Sequence, residues 1–378
     1  MIIGIDISSI PYGTGVSNYT LNLVRHLAKI DKVNTYKLLF YSLRQPLPSE
    51  IKILSRQKNI RLYHYRIPPS ILDIVWNRLH FLPVEMFIGR CDVFHTWDWN
   101  QPPTSQAKTV TTIHDFVPVL FPETQHPKTI KNFRLKMNLA VKYCHRFICV
   151  SQNTQKDLQK LFPQIDHQKV VVISEAASDK YEKFNKLSAN QKATKTKYIT
   201  KIYDLKKYFL VQGTREPRKN LPRIIDAFNQ FKKENPQSKF ELAITGKYGW
   251  GQDIKSTQNS FIKILGYIPE KDIVAIHAAA VCLLYPSLYE GFGLPILQAF
   301  KVGIPVITSR TSSIPEVAGL AAILVNPHST EEIKNAITKI ASSSSLRQRL
   351  IAKGLTQAKK FSWDKTAKET LKIYTSLC

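Results

Sequence analysis

Short apolar runs alternate along this chain with longer stretches in which apolar positions recur at helical spacing. The runs Ile2–Ile7, Tyr36–Tyr41, Val93–Phe94, Thr109–Ile113, Arg146–Val150 and Val170–Ile173 read as strands, with helices such as Gly15–Lys29 and Pro127–His145 between them. A second set follows at Tyr208–Gln212, Phe240–Thr245, Ile262–Leu265, Val281–Tyr285, Pro305–Thr308 and Ala322–Val325. Regular alternation of this kind predicts parallel, doubly wound sheets, one in each half. Ligands of such folds bind beyond the carboxyl ends of the strands, so the loops that follow strands carry the candidate chemistry.

Between the two halves, Asp179 to Lys207 holds nine lysines against Asp179, Glu182 and Asp204, and reads as a solvated basic connector. This divides the 378 residues into a first domain at 1–178, the connector at 179–207, a second domain at 208–360 and a terminal segment at 361–378. Phe361-Ser362-Trp363-Asp364 starts that last segment as a helix capped by Ser362 or Asp364. A net charge of +26 favours anionic partners, either acidic membrane surfaces or phosphorylated substrates. Neither zinc-finger spacing nor an aromatic RNA-binding stretch accompanies the charge, which argues against nucleic acid. The five cysteines form no Cys-x-x-Cys pair and are odd in number, as expected of reduced cytosolic thiols. No apolar run is long enough to span a bilayer, and Met1–Ile7 reads as a first strand rather than a signal peptide.

The most informative segment, residues 285–300, is Tyr-Pro-Ser-Leu-Tyr-Glu-Gly-Phe-Gly-Leu-Pro-Ile-Leu-Gln-Ala-Phe. A loop carries one acid, Glu290, ahead of Gly291, Phe292 and Gly293, and Leu294 with Pro295 opens a helix. Glycines between a strand and a helix start let backbone N–H groups approach an anion, which the helix dipole favours. A carboxylate at that place repels phosphate but suits the hydroxyls of an attached sugar. The pattern points to a sugar–diphosphate site, whereas a helix cap without ligand accounts for the glycines alone.

This segment closely resembles the donor-site signature of family 4 glycosyltransferases, retaining enzymes of the GT-B fold. The resemblance implies two doubly wound Rossmann-like domains facing a cleft, with a C-terminal helix crossing back to the N-terminal domain. It also implies that Glu290 orients the donor sugar. The family usually has a second Glu, holding ribose hydroxyls, where this chain has Gln298. Glutamine accepts a hydrogen bond there without the charge that strengthens a two-point grip.

Gly213-Thr214-Arg215-Glu216-Pro217-Arg218-Lys219-Asn220 follows the first strand of the second half. Arginine offers a planar fork and lysine a mobile point charge, a pair suited to a diphosphate, although a solvated basic turn is the simpler alternative. The stretch matches the family's Gly-Thr-x-x-Pro-Arg-Lys-Asn motif. Some relatives add an Arg after the glycine where this chain has Thr214, leaving Arg218 and Lys219 to supply most of the charge. Gly246-Lys247 and Tyr267-Ile268-Pro269 resemble base-pocket positions, and Glu316 is read as fixing its own loop rather than touching substrate. In the first half, Gly13 and Gly15 lie in a glycine loop, Pro11 to Val16, which the resemblance brings near donor phosphate and acceptor. His114 and Asp115 end an apolar strand. A lone His there is often structural and an Asp often caps a turn, but the resemblance implies a His near the sugar's C6 hydroxyl and the reacting centre. His95 is similar to a family position lining the cleft, with a structural role equally open. The resemblance runs from Gly4 to about Tyr374.

From Thr124 to Lys156 there are seven basic residues and no acid. Turning about 100° per residue puts Ile130, Phe133, Met137, Ala140, Val141 and Cys144 on one face. Lys128, Lys131, Lys142 and Arg146 fall opposite, with Leu135 and Leu139 among them. Exposed leucines in a basic stripe suit an anionic headgroup surface, so residues 127–146 are candidates to face a membrane or a lipid-diphosphate acceptor. Packing of both leucines under a neighbouring loop is the alternative.

Together these features point to a cytoplasmic glycosyltransferase, peripheral on the inner face of the plasma membrane and active in surface polysaccharide synthesis. It would move a hexose from GDP-mannose or a UDP-hexose to a glycan, lipid-linked in the favoured case. Asp-x-Asp is absent from the chain. The resemblance implies that Arg218, Lys219 and the Gly291–Leu294 backbone neutralise the leaving group without a cofactor or metal. Two other readings use the same cradle: a sugar-nucleotide epimerase or hydrolase, and a non-catalytic partner subunit, which Gln298 encourages.

Overall fold

In the first unit, seven strands form a wholly parallel sheet: β1 (Ile2–Asp6), β2 (Thr35–Tyr41), β3 (Ile60–Tyr65), β4 (Val93–Thr96), β5 (Lys108–Ile113), β6 (Arg146–Cys149) and β7 (Val170–Val172). Their order is β3-β2-β1-β4-β5-β6-β7. The central strands are buried on both faces, which is why they read as continuous apolar runs. A computed structural model describes residues 1–97, 99–249 and 259–378. It separates into Met1–Glu175 with Ser362–Cys378, and Ala176–Phe361.

Strand β3 was not anticipated. It pairs with β2 over its full length, from Tyr36↔Ile60 to Tyr41↔Tyr65. As an edge strand it leaves Arg61 and His64 exposed, so it lacks the uniform apolar run of its neighbours. The final helix, Trp363–Thr375, belongs to the first unit and packs along the helix Gly15–Ile30. Ser362 caps it by accepting from Lys365 N. Trp363 is buried edge-on to Tyr19, and Asp364 pairs with His26 at 2.7 Å and Lys29 at 2.9 Å.

The second unit contains β8 (Lys207–Gln212), β9 (Phe240–Thr245), β10 (Ile262–Gly266), β11 (Cys282–Tyr285), β12 (Val306–Ser309) and β13 (Ile323–Val325). They are also all parallel, in the order β10-β9-β8-β11-β12-β13. The basic connector requires correction. Residues 179–207 supply two helices, Asp179–Asn185 and Ala189–Ile202, which pack on the helices Leu294–Val302 and Glu270–Ala279 respectively. Tyr181, Phe184 and Ile199 are buried, and the lysines fill the outward turns. The unit boundary accordingly falls after Glu175, not at 178.

The basic helix spans Pro127–Tyr143, with Phe133, Met137 and Ala140 in the core as its periodicity predicts. Leu135 and Leu139 are half-buried rather than exposed. Lys136, on the same helix, is fully buried and donates to Thr111 Oγ1 at 2.8 Å. Among the described residues no helix is long and apolar enough to cross a membrane.

Candidate active site

The second sheet reverses its order between β8 and β11. Loops leaving neighbouring strands at such a point diverge and make room for a ligand. Here the loops are Gly213–Asn220 and Pro286–Gly293. Asn220 ends the first in the left-handed region at φ 62°, and its amide donates to the carbonyls of Pro286 at 3.0 Å and Pro327 at 2.6 Å. Leu288 N in turn donates to Arg218 O at 2.8 Å. These bonds tie the basic loop to the acidic one.

Glu290 is where the loops meet chemically. Its Oε2 accepts from Arg218 Nη1 at 2.8 Å and its Oε1 from Lys219 Nζ at 2.7 Å. Arg218 Nε also donates to Glu216 Oε2 at 2.8 Å. Lys219 Nζ donates to Tyr285 Oη at 2.7 Å and lies 4.8 Å over that ring. The two cations are therefore balanced by two carboxylates in one largely buried cluster. Burial alone would raise the Glu290 pKa, but the charges of Lys219 and Arg218 outweigh it and hold the carboxyl at about 2. Lys219 is shifted down, first by burial and then by Arg218, with Glu290 opposing the shift.

The glycines follow from close approach. Gly246 has φ +124°, and a Cβ there would stand 1.8 Å from Gly213 O. Gly213 has φ +134°, and its Cβ would stand 3.2 Å from Lys219 Cε. The turns after β8 and β9 thus press together beneath the lysine stem. Gly293 adopts φ 103° as the residue before the helix Leu294–Val302. Ser313 Oγ donates to the carbonyls of Glu290 at 2.8 Å and Phe292 at 3.0 Å, fixing the segment that includes Gly291. Phe292 itself is buried against Phe361.

Gln298 is half-buried, and its Oε1 accepts from Gln212 Nε2 at 3.2 Å. Gln212 Oε1 accepts in turn from His277 Nε2, whose buried ring has its pKa lowered to about 3 and is neutral. Lys247 Nζ lies 4.8 Å over the exposed ring of Tyr267. The structure therefore joins Gly213, Gly246, Arg218, Lys219 and Glu290 in one cluster, and pairs Lys247 with Tyr267.

In the first unit, Gly13 has φ 66° and ends a short turn, while Thr14 caps the helix that Gly15 begins. A Cβ at either glycine would meet nothing within 4 Å. His114 is buried beyond β5, edge-on to Tyr19 at 4.7 Å, with Nδ1 3.3 Å from Glu175 Oε1. Asp115 Oδ1 accepts from Val117 N at 2.9 Å, at the entry to the turn Val117–Leu120. His95 has a structural setting. It is fully buried between Tyr374 Oη at 2.5 Å and Thr112 Oγ1 at 2.9 Å, and burial lowers its pKa to about 3.

Two family models match most of the chain between them. Glycosyltransferase Family 4 covers residues 13–177, and Glycosyl transferases group 1 covers residues 192–357. The chain belongs to the family 4 glycosyltransferases. It is 29% identical over 380 residues to O-antigen chain mannosyltransferase B of Escherichia coli, covering 96% of each chain. It is 25% identical to O-antigen chain mannosyltransferase RfbU of Salmonella typhimurium over 87% of each. Its fold is similar to that of a sucrose-phosphate synthase from Thermosynechococcus elongatus, with a TM-score of 0.74, 16% identity, and coverage of 100% and 99% of the two chains. The two parallel sheets are those of a GT-B glycosyltransferase.

Several partners in this glycosyltransferase escaped sequence reasoning. Glu216 stands two residues before Arg218 in the same loop, so its pairing was legible from spacing. Tyr285, at the end of β11, was read as the close of an apolar run rather than as a partner for Lys219. Glu175 lies 61 residues beyond His114, and nothing local links them. The Gln298–Gln212–His277 chain likewise depends on tertiary approach.

Proposed function

We propose that this glycosyltransferase moves mannose, with retention of configuration, from GDP-mannose to a growing glycan of a surface polysaccharide, carried on a lipid diphosphate. The observation that carries the reading is the buried Arg218–Lys219–Glu290 cluster, set where the β8 and β11 loops diverge and beside the helix start at Leu294. Preorganised cations stabilise charge developing on a departing diphosphate without rearranging at the moment of reaction. Glu290, ionised far below neutral pH, holds both cations in register and offers oxygens to sugar hydroxyls. The backbone from Gly291 to Leu294 adds N–H groups for the phosphates. Lys247 and Tyr267 serve the base, and Gln298 serves the ribose. In the first unit, His114 is oriented by Glu175 to meet substrate hydroxyls, and Gly13 and Gly15 give open backbone. The choice of mannose is supported by the two O-antigen mannosyltransferases that the chain resembles over most of its length.

The test is transfer of radiolabelled sugar from GDP-mannose and, separately, UDP-glucose to a mannose-terminated, lipid-diphosphate-linked oligosaccharide. Label entering the lipid fraction from GDP-mannose supports the reading. Label entering only from UDP-glucose refutes the donor, and release of free sugar alone indicates a hydrolase.

A further inference from the structure

The first unit carries an apolar projection that its core does not use. Ile71, Ile74, Leu79, Phe81 and Met86 are all exposed, the last three at 66%, 63% and 69%. Isolated exposed apolar residues are ordinary, but so many in one short segment form a patch.

The backbone holds the patch outward. The π-helical turn Asp73–Arg78 is followed by bonds from Leu79 N to Ile74 O at 3.0 Å and from Phe81 N to Val75 O at 2.9 Å. The buried Trp76 indole donates to Leu82 O at 3.0 Å. His80 and Leu82 have φ of 47° and 60°, a region that bulky side chains rarely enter. Such strain persists only where the surroundings enforce it, and here it keeps Leu79 and Phe81 in water.

Beside the projection runs the basic helix Pro127–Tyr143. It packs against the π-helical turn, and the His80 ring stacks on Tyr143 at 4.5 Å. Lys128, Lys131, Arg134 and Lys142 are exposed along it, and Arg78 is exposed on the turn itself. Acids nearby are few. Asp73 is buried and lies 3.8 Å from Arg78, Glu85 Oε1 accepts from the backbone N–H groups of Ser105, Gln106 and Ala107, each at 3.0 Å, and Glu123 just ahead of the basic helix is exposed.

We propose that this face docks on an anionic lipid bilayer, with Leu79 and Phe81 entering the boundary between headgroups and acyl chains while the basic helix meets lipid phosphates. A solvated basic face accounts for the lysines but not for the apolar side chains. A second copy of this chain would bring the same positive charge to the contact and be repelled.

The test is flotation of the full chain with vesicles of phosphatidylcholine alone and with one-third phosphatidylglycerol. The wild type should float with the anionic vesicles only, and less as salt rises. Leu79→Ser/Phe81→Ser and Lys131→Glu/Lys142→Glu should each lower partitioning at least about ten-fold while keeping the wild-type melting temperature. The first pair should also abolish the binding that survives high salt. Unchanged flotation in both folded variants, or no wild-type flotation on anionic vesicles, would overturn the proposal. So would sedimentation showing a dimer that Leu79→Ser/Phe81→Ser dissolves without any vesicle binding.

Discussion

Replacing Glu290 with Gln keeps the shape of the side chain and removes the charge that Arg218 and Lys219 share. The cost can be worked from the carboxyl's displacement. Its pKa falls from 4.5 to about 2 on folding, a gap worth about 3 kcal/mol at neutral pH. Both oxygens are held by buried cations, and the side chain is only 8% exposed, so solvent screening removes little of this. Because the folded pKa is depressed, the contribution is complete above the unfolded value near 4.5 and drains away as pH falls towards 2. At pH 3 about 1 kcal/mol should remain. The assay is calorimetric unfolding of wild type and Glu290→Gln from pH 7 to pH 3. At pH 7 the transition of the second unit should drop by roughly 6–12 °C in the variant, taking ~2–4 °C per kcal/mol for a unit of this size. The gap should then narrow by more than half at pH 3. A neutral-pH difference below about 1 kcal/mol, or one constant down to pH 3, would show that the ion pairs do not hold the two loops together.

Gly246→Ala should destabilise the second unit by at least about 3 kcal/mol in thermal unfolding, since its Cβ would overlap Gly213 O at φ +124°. Gly15→Ala, with open space around it, should change stability by less than about 0.5 kcal/mol. Tyr374→Phe removes the hydroxyl that meets buried His95 Nδ1, which should cost about 1–3 kcal/mol and raise amide exchange in the terminal helix. With the His95 pKa lowered to about 3, that loss should be the same at pH 5.5 and pH 8. Gln298→Glu places a carboxylate beside Gln212 Nε2, and it should tighten binding of nucleoside diphosphates several-fold in calorimetry, as a charged acceptor does.

Most of the fold was legible because parallel strands covered on both faces must be apolar throughout, and helices between them must repeat at their own period. Partially buried elements carry a weaker pattern. Strand β3 is an edge with Arg61 and His64 in water, so its pattern is diluted. The helices at Asp179–Asn185 and Ala189–Ile202 bury few side chains, chiefly Tyr181, Phe184 and Ile199, and their lysines dominated the reading. Leu135 and Leu139 fall on the basic side of their helix, and only tertiary packing determines that they are half-covered. At the site, glycines and cations were visible because their spacing after strands is chemically unusual. Their pairing was not: Glu290 lies 72 residues from Arg218 and 71 from Lys219, and only the strand order brings the two loops together.

In the proposed function, the ion-paired cluster receives a nucleotide-diphosphate sugar. The most direct test is calorimetric titration of GDP-mannose, UDP-glucose, GDP and GMP into wild type and Lys219→Ala. GDP-mannose and GDP should bind the wild type, GMP should bind at least about ten-fold more weakly, and Lys219→Ala should lose at least about ten-fold in affinity for the diphosphates while GMP is little changed. Equal affinity of the wild type for GDP and GMP, or undiminished diphosphate binding by Lys219→Ala, would contradict it.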